Sequence, residues 1–467
     1  MKRRDFLKGA AVLTAAAGTR KLLNAADTLT AEKPGAGEGP IVSEDGKLII
    51  SAPMLQNYAE TSLGVAFAVS SLANGYVLLS ESEDMAGARK IMCGGYRLTE
   101  ISDRVIQVRL TGLKPATKYY YRIGADRILY DGGYKMKIIG NEEDPRVYSF
   151  TTAGEDAKAH FCVINDTHVR WASIIMCQDK IAEIKPSCVV WNGDASNSEE
   201  TIEAQMRIFL TPEMDRKDYA AEIPYLFCPG NHDDRGFANR HLERVWMWRQ
   251  PEERSSRDWD LGRNFAVRMG DIAMIGLDTA EDKLDTNPRF AGLYNSAPYR
   301  EAQTTWLAEA LAQKEIASAP FLVAFCHIPL YDPYPDHNPG DIAPADSDPR
   351  YTTDYAYWQR TCANMWLPLL QKAGCQLLIT AHQHKYQYFP AENGRSWDEI
   401  IGGGPDLGFK GKGANRKEAP DRYPTVIEGF TEDGTMKIRI HNILTGRVQD
   451  EFTYFPRKTR KKKVSRK

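Results

Sequence analysis

Five short pieces of this sequence carry residue types that bind cations: Asp166-Thr-His168, Gly193-Asp194, Gly230-Asn231-His232-Asp233, His327 and His382-Gln-His384. Two cations held close together repel, and a carboxylate shared between them lowers that cost. Asp194 is the natural bridge. Neutral imidazoles and an amide oxygen complete the shells without piling up negative charge. Hard oxygen and borderline nitrogen donors of this kind suit iron, manganese or zinc. No thiolate joins the set, which argues against a structural zinc site. Taken singly each piece is weak. A lone His is more often a core or surface residue, and Asn-His-Asp is also a turn sequence. Five pieces in order, each just after a strand-like run, point to one site.

The runs that must position them are His160–Asn165, Ser187–Trp191, Tyr225–Cys228, Phe321–Cys326 and Gln376–Thr380. Their lengths and β-branched or aromatic content predict strands. Helical stretches lie between them, so the alternation predicts an α/β core. Residues at the carboxyl ends of such strands converge on one sheet edge. Arg300–Ala312 reads as an amphipathic helix with Trp306 and Leu307 facing the core. Tyr331–Trp358, rich in Pro, Asp and Tyr, follows His327 directly and reads as a long irregular substrate loop. Gly402–Gly404 before Pro405 is a tight turn without the context of a phosphate-binding loop. His160, His241 and His441 have no assigned role.

The pattern Asp-x-His, Gly-Asp, Gly-Asn-His-Asp, His and x-His-x-His resembles the calcineurin-like metallophosphoesterases, over about Phe161 to Phe452. The resemblance implies two β-sheets sandwiched between helices, with a two-metal centre. By motif, Asp166, His168 and His384 would hold one ion, Asn231, His327 and His382 the other, and Asp194 would bridge. His232 would be the outer catalytic histidine, oriented by Asp233. Ala381 departs from the family, which usually has Gly before the His-x-His pair, and a slight backbone adjustment is expected there. Arg170 and Arg235 sit beside two of the motifs and either grip a phosphate oxygen or form salt bridges. His337, in the loop after His327, either contacts substrate or faces solvent.

The 467 residues make two or three domains with a large core, and 42% hydrophobic with 26% charged residues is the balance of a soluble globular chain. Lys2–Lys8 (KRRDFLK) and the Ala-rich Gly9–Gly18 resemble a twin-arginine export signal. Its alternative is an amphipathic first helix. The apolar stretch is too short to span a bilayer, and no other stretch approaches that length. The expected division is a signal peptide over 1–26, a linker over 27–40, a β-sandwich over 41–153, the α/β catalytic domain over 154–455 and a basic tail over 456–467. The sandwich is predicted from alternating runs at Lys47–Ser51, Leu63–Val69, Tyr76–Ser80, Val105–Leu110, Tyr119–Ile123 and Val147–Thr152. With LTGLKPATKYYYRI at Leu110–Ile123 it looks like a fibronectin type III-like domain, which purple acid phosphatases carry ahead of their catalytic unit. Tyr119 or Tyr121 would close a tyrosine corner.

Cys162, Cys188, Cys228 and Cys326 fall in predicted strands and read as buried thiols. Cys362 and Cys375 are the first pair to test for a disulfide. Arg457–Lys467 carries eight basic residues and no acidic one. That tail is either solvated or touches anionic lipid or nucleic acid.

The expected function is an exported, periplasmic or secreted hydrolase of phosphate monoesters or diesters. Two metal ions (iron, manganese or zinc) would clamp the phosphoryl group and activate a water as the hydroxide nucleophile. The alternatives are a nuclease or nucleotide phosphodiesterase, and a binding module that keeps the fold without turnover. Purple acid phosphatases have a Gly-Asp-x-x-Tyr motif whose tyrosine binds ferric iron. Here Asn197 stands in the place of that tyrosine, and His168 is present where the purple enzymes lack it. A centre without the intense visible band is therefore expected.

Overall fold

Strand-forming runs fill the first part of the chain: β1 (Met54–Ala59), β2 (Ser62–Ala68), β3 (Ala73–Ser80), β4 (Arg89–Met92), β5 (Val105–Thr111), β6 (Lys118–Tyr130), β7 (Met136–Glu143) and β8 (Tyr148–Thr151). The structure, a computed structural model, describes residues 46–458 except 95–99, 133, 156, 213–217, 249–260, 284, 286, 289–291, 331–353, 393–394 and 406–422; for 354–360 it describes backbone only. The signal segment 1–26, the linker 27–40, His337 and the tail beyond Lys458 lie outside the described residues. Lys47–Ser51, expected as a strand, contributes only an isolated bridge between Ile49 and Val69.

Strands β1, β2 and β5 pair antiparallel in sequence, and β4, β3, β6 and β7 form the facing sheet, with β8 also on β6. Tyr119, Tyr121 and Ile123 alternate inward along β6 into a core shared with Phe67, Val108 and Phe150. The corner tyrosine is Tyr119, whose hydroxyl accepts from Lys114 N at 2.8 Å. The Tyr121 hydroxyl instead donates to Ala221 O at 2.5 Å, in the second half of the chain.

The second half continues with β9 (His160–Ile164), β10 (Cys188–Asn192), β11 (Tyr225–Cys228), β12 (Phe265–Met269), β13 (Ile272–Leu277), β14 (Phe321–Cys326), β15 (Leu377–Thr380), β16 (Gln387–Phe389), β17 (Asp398–Ile401), β18 (Thr425–Glu432), β19 (Thr435–Asn442) and β20 (Arg447–Tyr454). They build two sheets. One runs β20-β19-β18-β9-β10-β11-β1-β2-β5, the other β12-β13-β14-β15-β17-β16. Parallel central strands buried on both faces explain the unbroken apolar runs at β9, β10, β14 and β15. The sheets face each other across Phe161 and Phe325, whose rings meet edge-on at 5.9 Å. On the outer face of the smaller sheet, the helices Ser296–Ala312 and Asp354–Ala373 bury Leu307 and Trp366. On the outer face of the larger one, Phe209 of the Ile202–Phe209 helix packs on Trp191. Leu307 is fully buried, while Trp306 packs at the edge of the same cluster. The stretch Tyr331–Trp358, expected to be irregular throughout, runs into the helix that starts at Asp354.

The larger sheet does not stop at the expected 153/154 boundary. Gln56 of β1 lies opposite Tyr225 of β11 in parallel pairing, and Leu55 N donates to Ala220 O at 2.8 Å. Gln56 is fully buried, and its amide is satisfied by Val245 O at 3.1 Å and Met247 N at 2.9 Å. All eight cysteines are free, so Cys362 and Cys375 are not bridged. Both thiols sit in one apolar cluster, and Cys375 Sγ lies 3.4 Å from Leu377 O.

The tail begins later than expected. Arg457 is docked: its Nε donates to Ala319 O at 2.9 Å, its Nη1 to Ala373 O at 2.7 Å, and Nη2 reaches Ile316 O. It places a cation at the carbonyl ends of two helices, where the helix dipoles favour one.

Two of the histidines without an assigned role bracket one carboxylate. His160 Nε2 is 2.9 Å from Glu428 Oε1 and His441 Nε2 is 2.8 Å from Glu428 Oε2. Burial alone would raise the Glu428 carboxyl, but these imidazole partners bring it down to about 2, below its ordinary 4.5. A carboxyl depressed on folding stabilises above its unfolded value and loses that contribution as pH falls through the folded one. Glu428→Gln is therefore expected to cost about 1.5–3 kcal/mol at neutral pH. Its gap from the parent protein should close as pH drops from 4.5 toward 2. Denaturant unfolding of both proteins across that range checks this, and a gap independent of pH would contradict it.

Candidate metal centre

The loops after β9, β10, β11, β14 and β15 deliver the five motif pieces to the same end of the two sheets. The turns are tight. Asp166, His168, Asp194, His382 and His384 all have positive φ, between 44° and 67°. Side chains with a Cβ seldom adopt this left-handed backbone, and clusters of it mark sites where surrounding structure imposes the geometry. Gly193 also has positive φ, at 80°, and a Cβ there would lie 2.3 Å from the His327 ring. The Gly402–Gly404 turn sits against the same centre: a Cβ on Gly404 would lie 2.3 Å from Asp166 Cβ. Ala381 is buried, and its N–H donates to His327 O at 2.8 Å.

Two groups of donor atoms result. Asp166, His168, Asp194 and His384 place ligand atoms within 4.8 Å of one another, as do Asp194, His327 and His382. Asp194 belongs to both: its Oδ2 lies 3.3 Å from His168 Nε2 and 3.2 Å from His327 Nε2. Asn231 Oδ1 is 3.0 Å from His382 Nδ1, which brings it to the second group.

The rest of each side chain is held. Asp166 Oδ2 accepts from His382 N at 3.0 Å and Asn165 Nδ2 at 2.7 Å. Asp194 Oδ1 accepts from His232 N at 2.9 Å. His327 Nδ1–H donates to Asn192 O at 3.0 Å, which turns Nε2 toward Asp194. Asn192 Nδ2 bonds Cys326 O and Ile379 O, both at 3.1 Å, and so ties the ends of β10, β14 and β15 together.

This donor set fits cations. Asp166 Oδ1 and His327 Nε2 are buried without a hydrogen bond among the described residues. His168 Nε2 and His384 Nε2 converge to 2.9 Å, a distance natural for two ligands of one ion. Burial alone would raise the Asp194 carboxyl, but the imidazoles of His327, His168 and His232 hold it far below its ordinary value. Burial would likewise lower His327, but Asp194 and Asp166 raise it to about 10. A cation entering here displaces that proton, because imidazole ligates in its neutral form. Burial, with His327 nearby, lowers His382 to about 4.

The outer residues are arranged differently from expectation. Asp233 does not touch the His232 ring. Its carboxylate accepts from Gly230 N of its own turn at 2.8 Å and, from the loop after β10, Ser196 N and Ser196 Oγ, both at 2.9 Å. The neighbour of the ring is Arg235, whose Nη1 is 3.2 Å from His232 Nε2. The ring also stands edge-on to His168, with centroids 4.7 Å apart. Arg235 is an ion-pair residue: Nε donates to Glu281 Oε2 at 2.7 Å, and Nη2 to Glu281 Oε1 at 2.6 Å and Asp282 Oδ1 at 2.7 Å. Asp282 Oδ2 lies 3.9 Å from His382 Nε2. Arg170 is exposed just before the Trp171–Ile184 helix. Sequence reasoning missed Asn165, Asn192, Glu281 and Asp282. The signal was present: each asparagine closes an apolar run, and Ile272–Leu277 followed by DTAED repeats the strand-then-carboxylate pattern.

Two facing sheets between helices, with carboxylates and imidazoles gathered at the strand ends, make a site that could hold metal ions. The comparisons say what class of protein carries it. The family model of calcineurin-like phosphoesterases matches residues 159–386, so the chain carries a domain of that family and is a phosphoesterase. Residues 1–19 match the twin-arginine translocation signal, which directs the chain to the periplasm or beyond. Among solved structures, purple acid phosphatase PPD1 from yellow lupin (Lupinus luteus) seeds is similar at 14% identity and a TM-score of 0.59, over 86% of this chain and 74% of that one. GAP50, the anchor in the inner membrane complex of Plasmodium, is similar at 13% identity and a TM-score of 0.43, over 65% of this chain and 90% of that one. The lupin enzyme supports the same fold, including the sheet-rich N-terminal part. Among the described residues no helix is long and apolar enough to cross a membrane.

Proposed function

We propose that this protein is an exported hydrolase of phosphate esters that works with two metal ions. The observation that carries the reading is the position of Asp194 Oδ2, which belongs to both groups of converging donors. Asp166, His168 and His384 would hold one ion, Asn231, His327 and His382 the other, and Asp194 both. Bound cations supply Lewis-acid polarisation of a phosphoryl oxygen and make water acidic enough to serve as nucleophile at neutral pH. The chain's own residues do the remaining work. Asp194 and Asp166 bring negative charge that keeps two cations together. His232 acts at the leaving oxygen, as hydrogen-bond or proton donor. Burial chiefly, with His168 and Arg235 nearby, lowers this imidazole to about 4. The sandwich would frame the catalytic unit, with β1, β2 and β5 continuing the larger catalytic sheet. The basic tail after Lys458 offers charge to an anionic surface.

The test is a screen of metal-replete protein, loaded in turn with manganese, zinc or ferrous iron, against aryl monoesters, diesters and nucleotides. Metal-dependent turnover of one class supports the reading. No turnover of any class by protein with full metal content favours a binding module. Loss of DNA affinity with salt and with tail removal would favour a nuclease.

The ligand set also predicts colour. Asn197 is exposed and cannot supply a phenolate, and His168 stands with the first donor group. A neutral imidazole favours divalent ions, whereas phenolate favours ferric iron. Protein purified in air with full metal content is expected to lack an intense visible band. A strong band lost on substituting a nearby tyrosine would show a tyrosine ligand and an incomplete set.

A further inference from the structure

Arg235 was a candidate for gripping phosphate, yet its guanidinium fork is already committed. Nε and Nη2 make three bonds of 2.6–2.7 Å to Glu281 and Asp282. Glu281 is buried, with its side chain 1% exposed, so the pair is a fixed strut and not a loose surface contact. With Lys283 also on Asp282 at 2.5 Å, two cations face two carboxylates, so the cluster has no net positive charge left for a phosphate dianion. What remains is Nη1, directed at His232 Nε2 at 3.2 Å.

We propose that Arg235, clamped by Glu281 and Asp282, is the positioning residue of His232. A guanidinium has only donors. Its Nη1 stands 3.2 Å from His232 Nε2, so a fixed group meets that edge of the ring. Nδ1 is buried and has no partner among the described residues. The strut therefore sets the ring's orientation. In this centre the strut takes the place that sequence reasoning gave to Asp233, whose carboxylate is used by Gly230 N and Ser196 N. The same strut reaches the far side of the donor cluster, where Asp282 stands 3.9 Å from His382. A bidentate clamp of this kind holds a fork in one plane, which a lysine cannot reproduce.

The inference rests on the reading that His232 acts at the leaving oxygen, and the experiment separates the two. Full-length, metal-loaded Arg235→Lys and the double variant Arg235→Ala/Glu281→Gln are compared with His232→Ala. Lysine keeps a cation beside Glu281, and the double variant leaves no buried charge alone, so neither depends on tolerating an orphaned carboxylate. Each is assayed on aryl phosphates whose leaving groups span poor to good, with metal content measured in parallel. The expected result is retained metal, kcat lower by about 10–100-fold as for other residues that orient a working imidazole, and KM little changed. The loss should grow as the leaving group becomes poorer, and Arg235→Lys should add little in the His232→Ala background. A raised KM with unchanged kcat would overturn the proposal and make Arg235 a substrate contact. Full additivity with His232→Ala would also overturn it. If His232→Ala itself is fully active, the reading of His232 fails first, and the positioning role falls with it.

Discussion

Asp194→Asn is expected to lose the second metal ion and nearly all turnover. Asparagine has the same shape and can still accept from His232 N through Oδ1, so the loop after β10 should survive. What disappears is the buried charge that sits 3.3 Å from His168 Nε2 and 3.2 Å from His327 Nε2. With an amide there, two cations would face each other without a shared anion, and an N–H donor would point at imidazole nitrogens that must themselves donate electron pairs. Lewis-acid stabilisation of a phosphoryl transition state amounts to several kcal/mol. At 1.36 kcal/mol per tenfold, a loss of about 10³-fold or more in kcat/KM follows. Elemental analysis of the purified variant, with turnover on the best substrate, checks both halves. Two retained ions with near-normal turnover would remove Asp194 from the bridging role.

His232→Ala should behave in the opposite way toward metal. The bond that His232 gives the centre is made by its backbone N–H, to Asp194 Oδ1 at 2.9 Å, and alanine keeps it. Both ions are therefore expected to stay. The ring is a different matter. Removing one positioned proton donor costs roughly 10²–10⁴-fold, and less where the leaving group departs easily. The signature is a steeper dependence of kcat on leaving-group acidity in the variant than in the parent. Loss of metal from this variant would instead make His232 a ligand.

The centre was legible in sequence because each ligand piece ends an apolar run, and a polar residue closing a buried strand has few structural reasons to be there. Asp166 after HFCVIN and Asp194 after CVVWNG are plain cases. The contacts around the ligands were less legible. Asp233 follows His232 directly, which made it the obvious partner, but turn geometry folded its carboxylate toward Gly230 and Ser196. The residue that meets the ring is Arg235, three positions on from His232, and its anchor Glu281 is far away in the chain. Such pairs depend on tertiary placement that no local pattern encodes. The same holds for β1. Its run, MLQNYA, carries a buried Gln56 that weakens an amphipathic reading, and only the distant partners of its amide, Val245 O and Met247 N, explain that residue. Arg457 read as the start of a charged tail because sequence shows charge, not the helix ends that receive it.

The parallel pairing of β1 with β11 sets an order of events in time. A growing chain has β1 in hand long before Tyr225 exists to receive Gln56. The sandwich strands can meet one another early, since their partners are near in sequence, while the join to β11 must wait for the catalytic half. Until then β1 and β11 each show an unpaired edge, the feature that invites mispairing. The twin-arginine route carries proteins that are already folded, and the leader that it reads lies just upstream of β1. That seam is thus tethered to the end of the chain that the exporter handles, so a molecule in which it is still open is unfinished on the side of its own export tag.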